Sequence, residues 1–557
     1  MKVLFLSALL FCGIAPAQSI SSGTVTGVVT DPSGAAIAGA AAVLHNAVSN
    51  YSRTASTDAA GGFRFSNVPL NGYQLEVTAP GFSRYKDHVA LASTVPVKLE
   101  VRMTLAGALT TVQVEATADL VENVPMAHDD VDQTLLASLP TGSPGAGLSA
   151  AITLSSPGVV ADSNGFFHPL GDHAQTSFVI DGQPISDQQS KEFSTQIPVN
   201  AIESMQLSTG MPAAQYGDKT SLVVDAVTRS GLGKKLFGDL ETYYGSFGTV
   251  GENASVGGGT DHFGEFLVAN VARSGRFLDS PEFNPMHDIG NNSTFFDRLD
   301  FQPNTTDAFH LDLFAARNWF QIPDTYDQVG QDQRQRVVSF NVAPGYQHTF
   351  NPSTLLTVNP WARRDSVDYY PSGDPFQDLP ATLAQHRTLF NYGVRADLAL
   401  VRGRHNLKVG TELKQTRLLE DFSLGITDPS FNPVCLDASG AAAGLPTVTD
   451  PAACGALGLT ANPNLMPGLV PYDLTRGGQA FLFHATGNVK GYAGYIQDTI
   501  TRGRWTWNLG LRADRYDGPS RATSLEPRVG ASYQVKATGT VLRVAWSRKS
   551  RCSRPWA

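Results

Sequence analysis

Two groupings of side chains in this 557-residue chain have the types that could grip a metal ion or move a proton: the His-x-x-Glu formed by His262 and Glu265, and the cluster His168, Asp172 and His173. A zinc ion needs its ligands on one face, as two histidines four apart on a helix provide. His262 and Glu265 fall instead in an alternating segment, where positions three apart point to opposite sides of a strand. The His168–His173 stretch reads as a polar loop, where histidines are more often solvated than ligating. There is no Gly-x-Ser-x-Gly elbow, no Gly-x-x-x-x-Gly-Lys phosphate loop and no two-His zinc helix. The sequence therefore predicts no enzyme, no catalytic residue, no metal site and no cofactor.

Cysteine chemistry is sparse. Of the four cysteines, Cys12 lies near the start, Cys435 and Cys454 bracket an Ala/Gly/Pro-rich stretch, and Cys552 lies near the end. In an exported chain Cys435 and Cys454 can pair as a disulfide, with free structural thiols as the other reading for all three later cysteines.

The elements that would carry any function follow from composition and pattern. Charged residues are 16% against roughly 25% in a typical soluble protein, while Gly (53) and aromatics (9%) are plentiful, which suggests many strands and long loops. The net charge of −9, without clustered Lys and Arg in the body of the chain, argues against a nucleic-acid partner. Lys2, the apolar run Val3–Phe11 and Ala15-Pro16-Ala17 have the form of a cleaved export signal over residues 1–17, so the mature chain is expected to begin at Gln18. No stretch approaches the roughly 18 apolar residues of a membrane-spanning helix, so any crossing must be made by strands.

Three regions follow. Residues 18–105 alternate and turn like a small β-sandwich, with strands such as Tyr73–Val77 and a turn at Asp31-Pro32-Ser33-Gly34. The landmarks Gly27–Asp31, Thr57–Phe63 and Ala79-Pro80-Gly81-Phe82 resemble the carboxypeptidase regulatory-like domain, a transthyretin-like sandwich found ahead of many outer-membrane receptors. Residues 106–116 contain Thr111-Val112-Gln113-Val114, which resembles the TonB box, the extended segment that joins a periplasmic energy-coupling protein by strand addition; a last sandwich strand or a linker is the alternative.

Residues 117–232 carry Phe178–Ile185 with its Asp181-Gly182 turn, Ile202–Gly210, Gln215-Tyr216-Gly217-Asp218 and Val223–Gly231. In this order and spacing they are similar to the plug domain of TonB-dependent receptors. Ser221-Leu222 stand where that family usually has a Gly pair, Asp225 where it commonly has Asn, and Leu170 where it often has Arg. Asp181 and Gly182, like Gly210, Tyr216, Gly217 and Gly231, are read as structural, the first two as a tight turn.

Residues 233–547 alternate in segments of about ten, as a transmembrane β-barrel does. Tyr392, Val394, Ala396, Leu398 and Leu400 oppose Asn391, Gly393, Arg395, Asp397 and Ala399, and Trp505–Ala513 alternate with Thr506–Asp514 in the same way. A soluble sandwich shows the same period; Trp and Tyr at segment ends and long connections, read as residues 279–306 and 420–478, favour the barrel. Tyr492–Asp498 followed by Leu509–Tyr516 closely resembles a recurrent receptor-barrel hairpin. The expected fold is thus all-β with a small mixed plug: a sandwich, a plug and a partial antiparallel barrel.

About twelve or thirteen strand candidates lie between Leu236 and Trp546, whereas plugged transporters of this kind close with 22. The basic, non-alternating residues 548–557 also differ from the family's amphipathic, aromatic-ended last strand, and together these features suggest a shortened product. The resemblance, to the Oar-like group of TonB-dependent receptors, implies export to the outer membrane of a Gram-negative-type bacterium. It implies as partners a TonB-type energy-coupling protein, outer-membrane lipid, the barrel insertion machinery and an extracellular ligand, whether chelate, glycan or peptide. An adhesion or envelope-organising protein, and a non-functional fragment, are the rival readings.

Overall fold

The computed structural model describes residues 23–46, 51–91, 93–106, 122–140, 146–161, 167–172, 176–185, 194–217, 221–445 and 447–548. The export signal, residues 111–114, His173, Cys552 and the tail from 549 lie outside them.

The N-terminal region forms seven strands: β1 (Gly23–Thr30), β2 (Ala41–His45), β3 (Ser52–Ser56), β4 (Gly62–Val68), β5 (Gly72–Thr78), β6 (Tyr85–Ala90) and β7 (Val97–Arg102). They make two sheets, ordered β4-β1-β7 and β3-β2-β5-β6. Alternate residues such as Val25, Leu44, Phe63, Tyr73, Leu75 and Val101 meet between the sheets in one apolar core, as strand periodicity requires.

The central domain has β8 (Ala127–Asp132), α1 (Gln133–Ser138), α2 (Gly147–Ser155), β9 (Val159–Ala161), β10 (Phe167–Pro169), β11 (Thr176–Ile180), β12 (Gln183–Ile185), β13 (Ile202–Thr209) and β14 (Leu222–Thr228). Its mixed sheet runs β12-β11-β14-β13-β8, and β14, the middle strand, is nearly continuously buried. Asp132 caps α1 by accepting a hydrogen bond from the Leu135 amide.

The rest is one antiparallel meander: β15 (Phe237–Gly245), β16 (Thr249–Gly259), β17 (Phe263–Ser274), β18 (Gly290–Phe301), β19 (Asp307–Gln321), β20 (Arg334–Asn351), β21 (Thr354–Tyr370), β22 (Ala381–Arg402) and β23 (His405–Ile426). A loop carrying the short pair β24 (Cys435–Leu436) and β25 (Thr460–Ala461) follows, then β26 (Phe481–Arg502), β27 (Trp505–Asp517), β28 (Arg521–Val535) and β29 (Thr540–Ser547). Among the described residues thirteen strands pair in sequence, and β15 and β29 are the edges of a sheet that does not close. The count agrees with the alternation in the sequence.

Two connections are shorter than the sequence suggested. Gly290–Phe301 is strand, so the flanking loops are 275–289 and 302–306, and β23 extends to Ile426, so the longest connection is 427–480. Gly290–Phe301 looked like a loop because its polar residues, Asn292, Arg298 and Asp300 among them, alternate toward the buried side of the wall.

The wall sorts its residues by face. Leu413, Ile496, Leu509, Leu511 and Val529 lie exposed on the outside, while Arg298, Arg363, Arg395 and Arg512 point inward and are buried. Trp505 stacks on Trp507 and packs on Tyr533 beside the 503–504 turn, an aromatic end-cap of the kind found at membrane interfaces. Connections at one end are short (260–262, 352–353, 403–404, 503–504, 536–539) and at the other mostly long. The sandwich sits at the short-turn end, where Val95 packs on Leu355 and Ala399. Among the described residues, no helix is long and apolar enough to cross a membrane.

Candidate functional site

In a strand, residues i and i+2 share a face. Five wall strands use this to place an arginine beside an acid on the inner side: Arg298/Asp300, Arg363/Asp365, Arg395/Asp397, Arg512/Asp514 and Glu526/Arg528. Four of these arginines also reach the central domain. Arg298 Nη1 donates to Asp181 Oδ1 at 2.9 Å and to the Thr228 hydroxyl at 2.9 Å. Arg363 Nη2 meets Ser194 Oγ and the Thr195 carbonyl, both at 3.3 Å. Arg512 Nη1 donates to the Gln215 carbonyl at 3.2 Å, and Arg528 Nη1 to that of Ala213 at 2.6 Å. On β23, Lys408 donates to Gln215 Oε1 at 2.7 Å. The segment 212–217 is thereby held by three strands of the wall.

Apolar contact holds the opposite side. Phe266 and Val268 on β17, Phe296 on β18, and Phe314 and Ala316 on β19 join Val131, Leu136, Ile152, Phe178, Ile202 and Leu207 in one buried cluster. Beside it, toward the long-loop end, lies a cavity of about 550 Å³, within the range of small-ligand sites. Its lining is rich in amides: Asn200 from the central domain, and Asn253, Asn270, Asn292 and Asn318 from β16 to β19. Asn253 pairs in register with Asn270, and Asn292 with Asn318, so the amides stand in rows across neighbouring strands. Asn200 and Asn270 exchange amide hydrogen bonds at 3.2 and 3.0 Å. Arg229 closes the lining, stacked on Phe266 at 4.6 Å and 3.4 Å from Asp239. Such a surface offers many neutral donors and acceptors and little net charge.

At the short-turn end three domains meet on one carboxylate. Glu203 lies 3.4 Å from Arg53 of the sandwich and 3.6 Å from Lys234, in the segment leading into β15. Burial pushes the Glu203 carboxyl up, but Arg53, Lys234 and Arg229 together hold it below the usual carboxylate range. Nearby, Arg543 on the edge strand β29 donates to the carbonyls of Glu122 and Val124, each at 2.7 Å. A smaller cavity of about 190 Å³ separates the sandwich loops at Pro69 and Thr94 from Lys408 and Asp397.

The residues singled out in the sequence take these places. Asp181 (φ 49°) and Gly182 (φ 80°) form the tight turn between β11 and β12, left-handed backbone that suits Asp and Gly. Asp181 does more than turn: fully buried, it accepts from Thr228 Oγ1 at 2.6 Å and pairs with Arg298. Tyr216 donates to Asp225 Oδ2 at 2.6 Å, and burial, reinforced by that carboxylate, raises its phenol well above the ordinary value. A side chain at Gly217 would collide with the Arg512 guanidinium, and one at Gly231 with backbone of β16 and β17. Gly210 turns at φ 88°. Cys435 and Cys454 are joined as a disulfide inside the 427–480 loop.

His168 lies on β10 and Asp172 accepts from Ser221 Oγ at 2.6 Å. His262 sits in the turn before β17, its Nδ1 2.6 Å from the Gln302 carbonyl oxygen, and His262 and Glu265 belong to no metal-ligand set among the described residues. Sequence reasoning missed the inward clamps and the amide rows. The signal for the clamps was legible: Arg-x-Asp recurs on the polar face of alternating segments. Nothing local marked the asparagines, because only strand register brings them together.

Residues 24–104 match the carboxypeptidase regulatory-like domain, and residues 280–551 match the TonB dependent receptor-like β-barrel family. None of the curated proteins matches the sequence. Solved structures of similar fold include FpvA of P. aeruginosa bound to heterologous pyoverdines (TM-score 0.52, 12% identity, 78% of this chain and 60% of that one). Others are the ferric enterobactin receptor of Pseudomonas aeruginosa (0.52, 15%, 76% and 61%) and the ferric-catecholate import receptor Fiu of E. coli (0.51, 14%, 77% and 70%). The chain spans about three fifths of the length of most of these receptors. These matches bear out the resemblance read from the sequence and the all-β architecture expected from it.

Proposed function

We propose that this chain is a TonB-dependent outer-membrane receptor, with the wall as its barrel, the central domain as its plug and the sandwich on the periplasmic side. The observation that carries the reading is the clamped central domain inside a strand wall whose outer face is apolar and whose inner face is charged. Short turns at the sandwich end and long loops at the other match the periplasmic and extracellular ends of outer-membrane barrels. The ligand would then enter from the long-loop end and meet the amide-lined cavity. The similar structures named above include receptors for ferric siderophores; here the amide-rich lining favours a ligand that presents hydroxyl, carbonyl or amide groups.

Energy coupling would come through Thr111–Val114, which needs only free main-chain donors and acceptors to add to another sheet. The test is binding of the periplasmic domain of the host's TonB-type protein to the full chain in detergent micelles. Micromolar binding by the unaltered chain, lost in Val112→Pro because proline removes a donor and disrupts strand addition, is the expected result. Absence of binding, or equal binding by Val112→Pro, would refute the coupling.

A further inference from the structure

Among the described residues outside the cavity and the clamps, one set of side chains converges without a role in either. Glu122, which follows the linker, and His128 and Asp130 on one face of β8 bring their ligand atoms within 4.8 Å of one another. His128 Nε2 lies 2.9 Å from Glu122 Oε2 and 3.6 Å from Asp130 Oδ2. We propose that these three residues form a divalent-cation site of the zinc type, at the junction of linker, plug and sandwich.

Geometry and orientation support the assignment. Zinc bound at about 2.0–2.1 Å by tetrahedral nitrogen and oxygen ligands holds them roughly 3.3 Å apart, and the two distances bracket that spacing. The His128 side chain is only 7% exposed, and its Nε2 finds no well-directed hydrogen bond although it is aimed between two carboxylates. Its Nδ1 faces the Met126 carbonyl oxygen at 3.4 Å. A carbonyl can only accept, so this contact favours a proton on Nδ1, the usual outer contact of a ligating histidine, and a metal at Nε2 would take the place of the proton that the two carboxylates draw there.

The carboxylates are positioned in the same manner. Asp130 accepts from Gln206 Nε2 at 3.1 Å and from Asn71 Nδ2 of the sandwich at 2.9 Å, and Asn71 also donates to Glu122. Two carboxylates bring two negative charges, which a proton on the histidine would only half neutralise and a divalent ion with neutral imidazole neutralises fully. A mixed imidazole and carboxylate set suits zinc better than calcium or magnesium, which favour oxygen ligands. Bound there, the ion would tie Glu122 to β8, a few residues beyond the segment 111–114.

The experiment uses the full chain in detergent micelles, stripped with chelator and titrated with zinc by calorimetry and with cobalt(II) by visible absorption. One ion per chain is expected, with tetrahedral cobalt bands and at least a hundredfold weaker binding in His128→Gln. His128→Cys should keep the site and add a sulfur-to-cobalt charge-transfer band, which guards against loss of binding through misfolding. No stoichiometric binding by the unaltered chain, or equal binding by His128→Gln, overturns the assignment.

Discussion

Replacing Arg298 by methionine is the sharpest probe of how the plug is held. Arg298 is fully buried and is the cation shared by Asp181 and Asp300, themselves 0% and 1% exposed. Removing it keeps most of the side-chain volume but strips both carboxylates of their partner. Thr228 still donates twice to Asp181, and Ser230 to Asp300, yet neither supplies charge. Breaking a buried pair from one side costs about 3–5 kcal/mol, and at about 1.36 kcal/mol per decade this is roughly a 150- to 5,000-fold shift in local opening. Hydrogen exchange of the Asp181 amide, which donates to Ala226, and of the Thr228 amide, which donates to Asp181, measures it in the full chain. The control is Arg521→Ala: that arginine is 79% exposed beside Asp517, and a surface pair is worth less than about 1 kcal/mol. Should Arg298→Met speed exchange less than tenfold, or no more than the control, the clamp does not hold the plug.

Two further outcomes follow from the same structure. The folded pKa of Glu203 is held down by Arg53, Lys234 and Arg229 against the upward push of burial, so its stabilising contribution is complete above the ordinary carboxylate value of about 4.3 and fades as pH falls through the lower folded value. The gap in melting temperature between the unaltered chain and Glu203→Gln should therefore be full at pH 7 and shrink below about pH 4; a gap that persists or widens in acid would refute the assigned pairing. Cys435→Ser opens a disulfide spanning a separation of 19 residues, worth about 3 kcal/mol of loop closure, so proteinase cleavage within 427–480 should rise steeply while exchange in β22 and β26 stays unchanged, and equal cleavage rates would count against a constraining disulfide.

Most of the architecture was legible because strand period and burial coincide. Tyr392–Leu400 and Trp505–Ala513 declared both faces of their strands, and Asp181-Gly182 declared its turn. Legibility failed where a strand turns a polar face to another domain: Gly290–Phe301 looked like a loop because Asn292, Arg298 and Asp300 serve the plug rather than a core. The site was harder still. Asn253, Asn270, Asn292 and Asn318 are unremarkable one at a time, and only the register of β16 to β19 assembles them. Glu122, His128 and Asp130 were passed over for denser-looking histidine clusters, since a ligand set depends on a loop folding back over β8, which spacing alone does not report.

The two ways the wall grips the plug differ in what separation would cost. On the β17–β19 side the contact is apolar, and parting Phe266, Phe296 and Phe314 from Phe178 and Leu207 would expose hydrocarbon at about 25 cal/mol per Å². From β21 to β28 the contact is polar, and the i, i+2 arrangement means that Arg363, Arg512 and Arg528 would each keep an acid on their own strand if the central domain left. Those arginines lose only carbonyl or hydroxyl partners, which water replaces at small net cost. Arg298 is the exception, because one of its acids, Asp181, belongs to the plug. Buried pairs add little stability compared with well-packed apolar contacts, so the clamps are poorly explained as glue. They suit a surface that holds a position while docked and stays neutralised and wettable once vacated, which makes the β21–β28 side the face along which water can enter with least penalty.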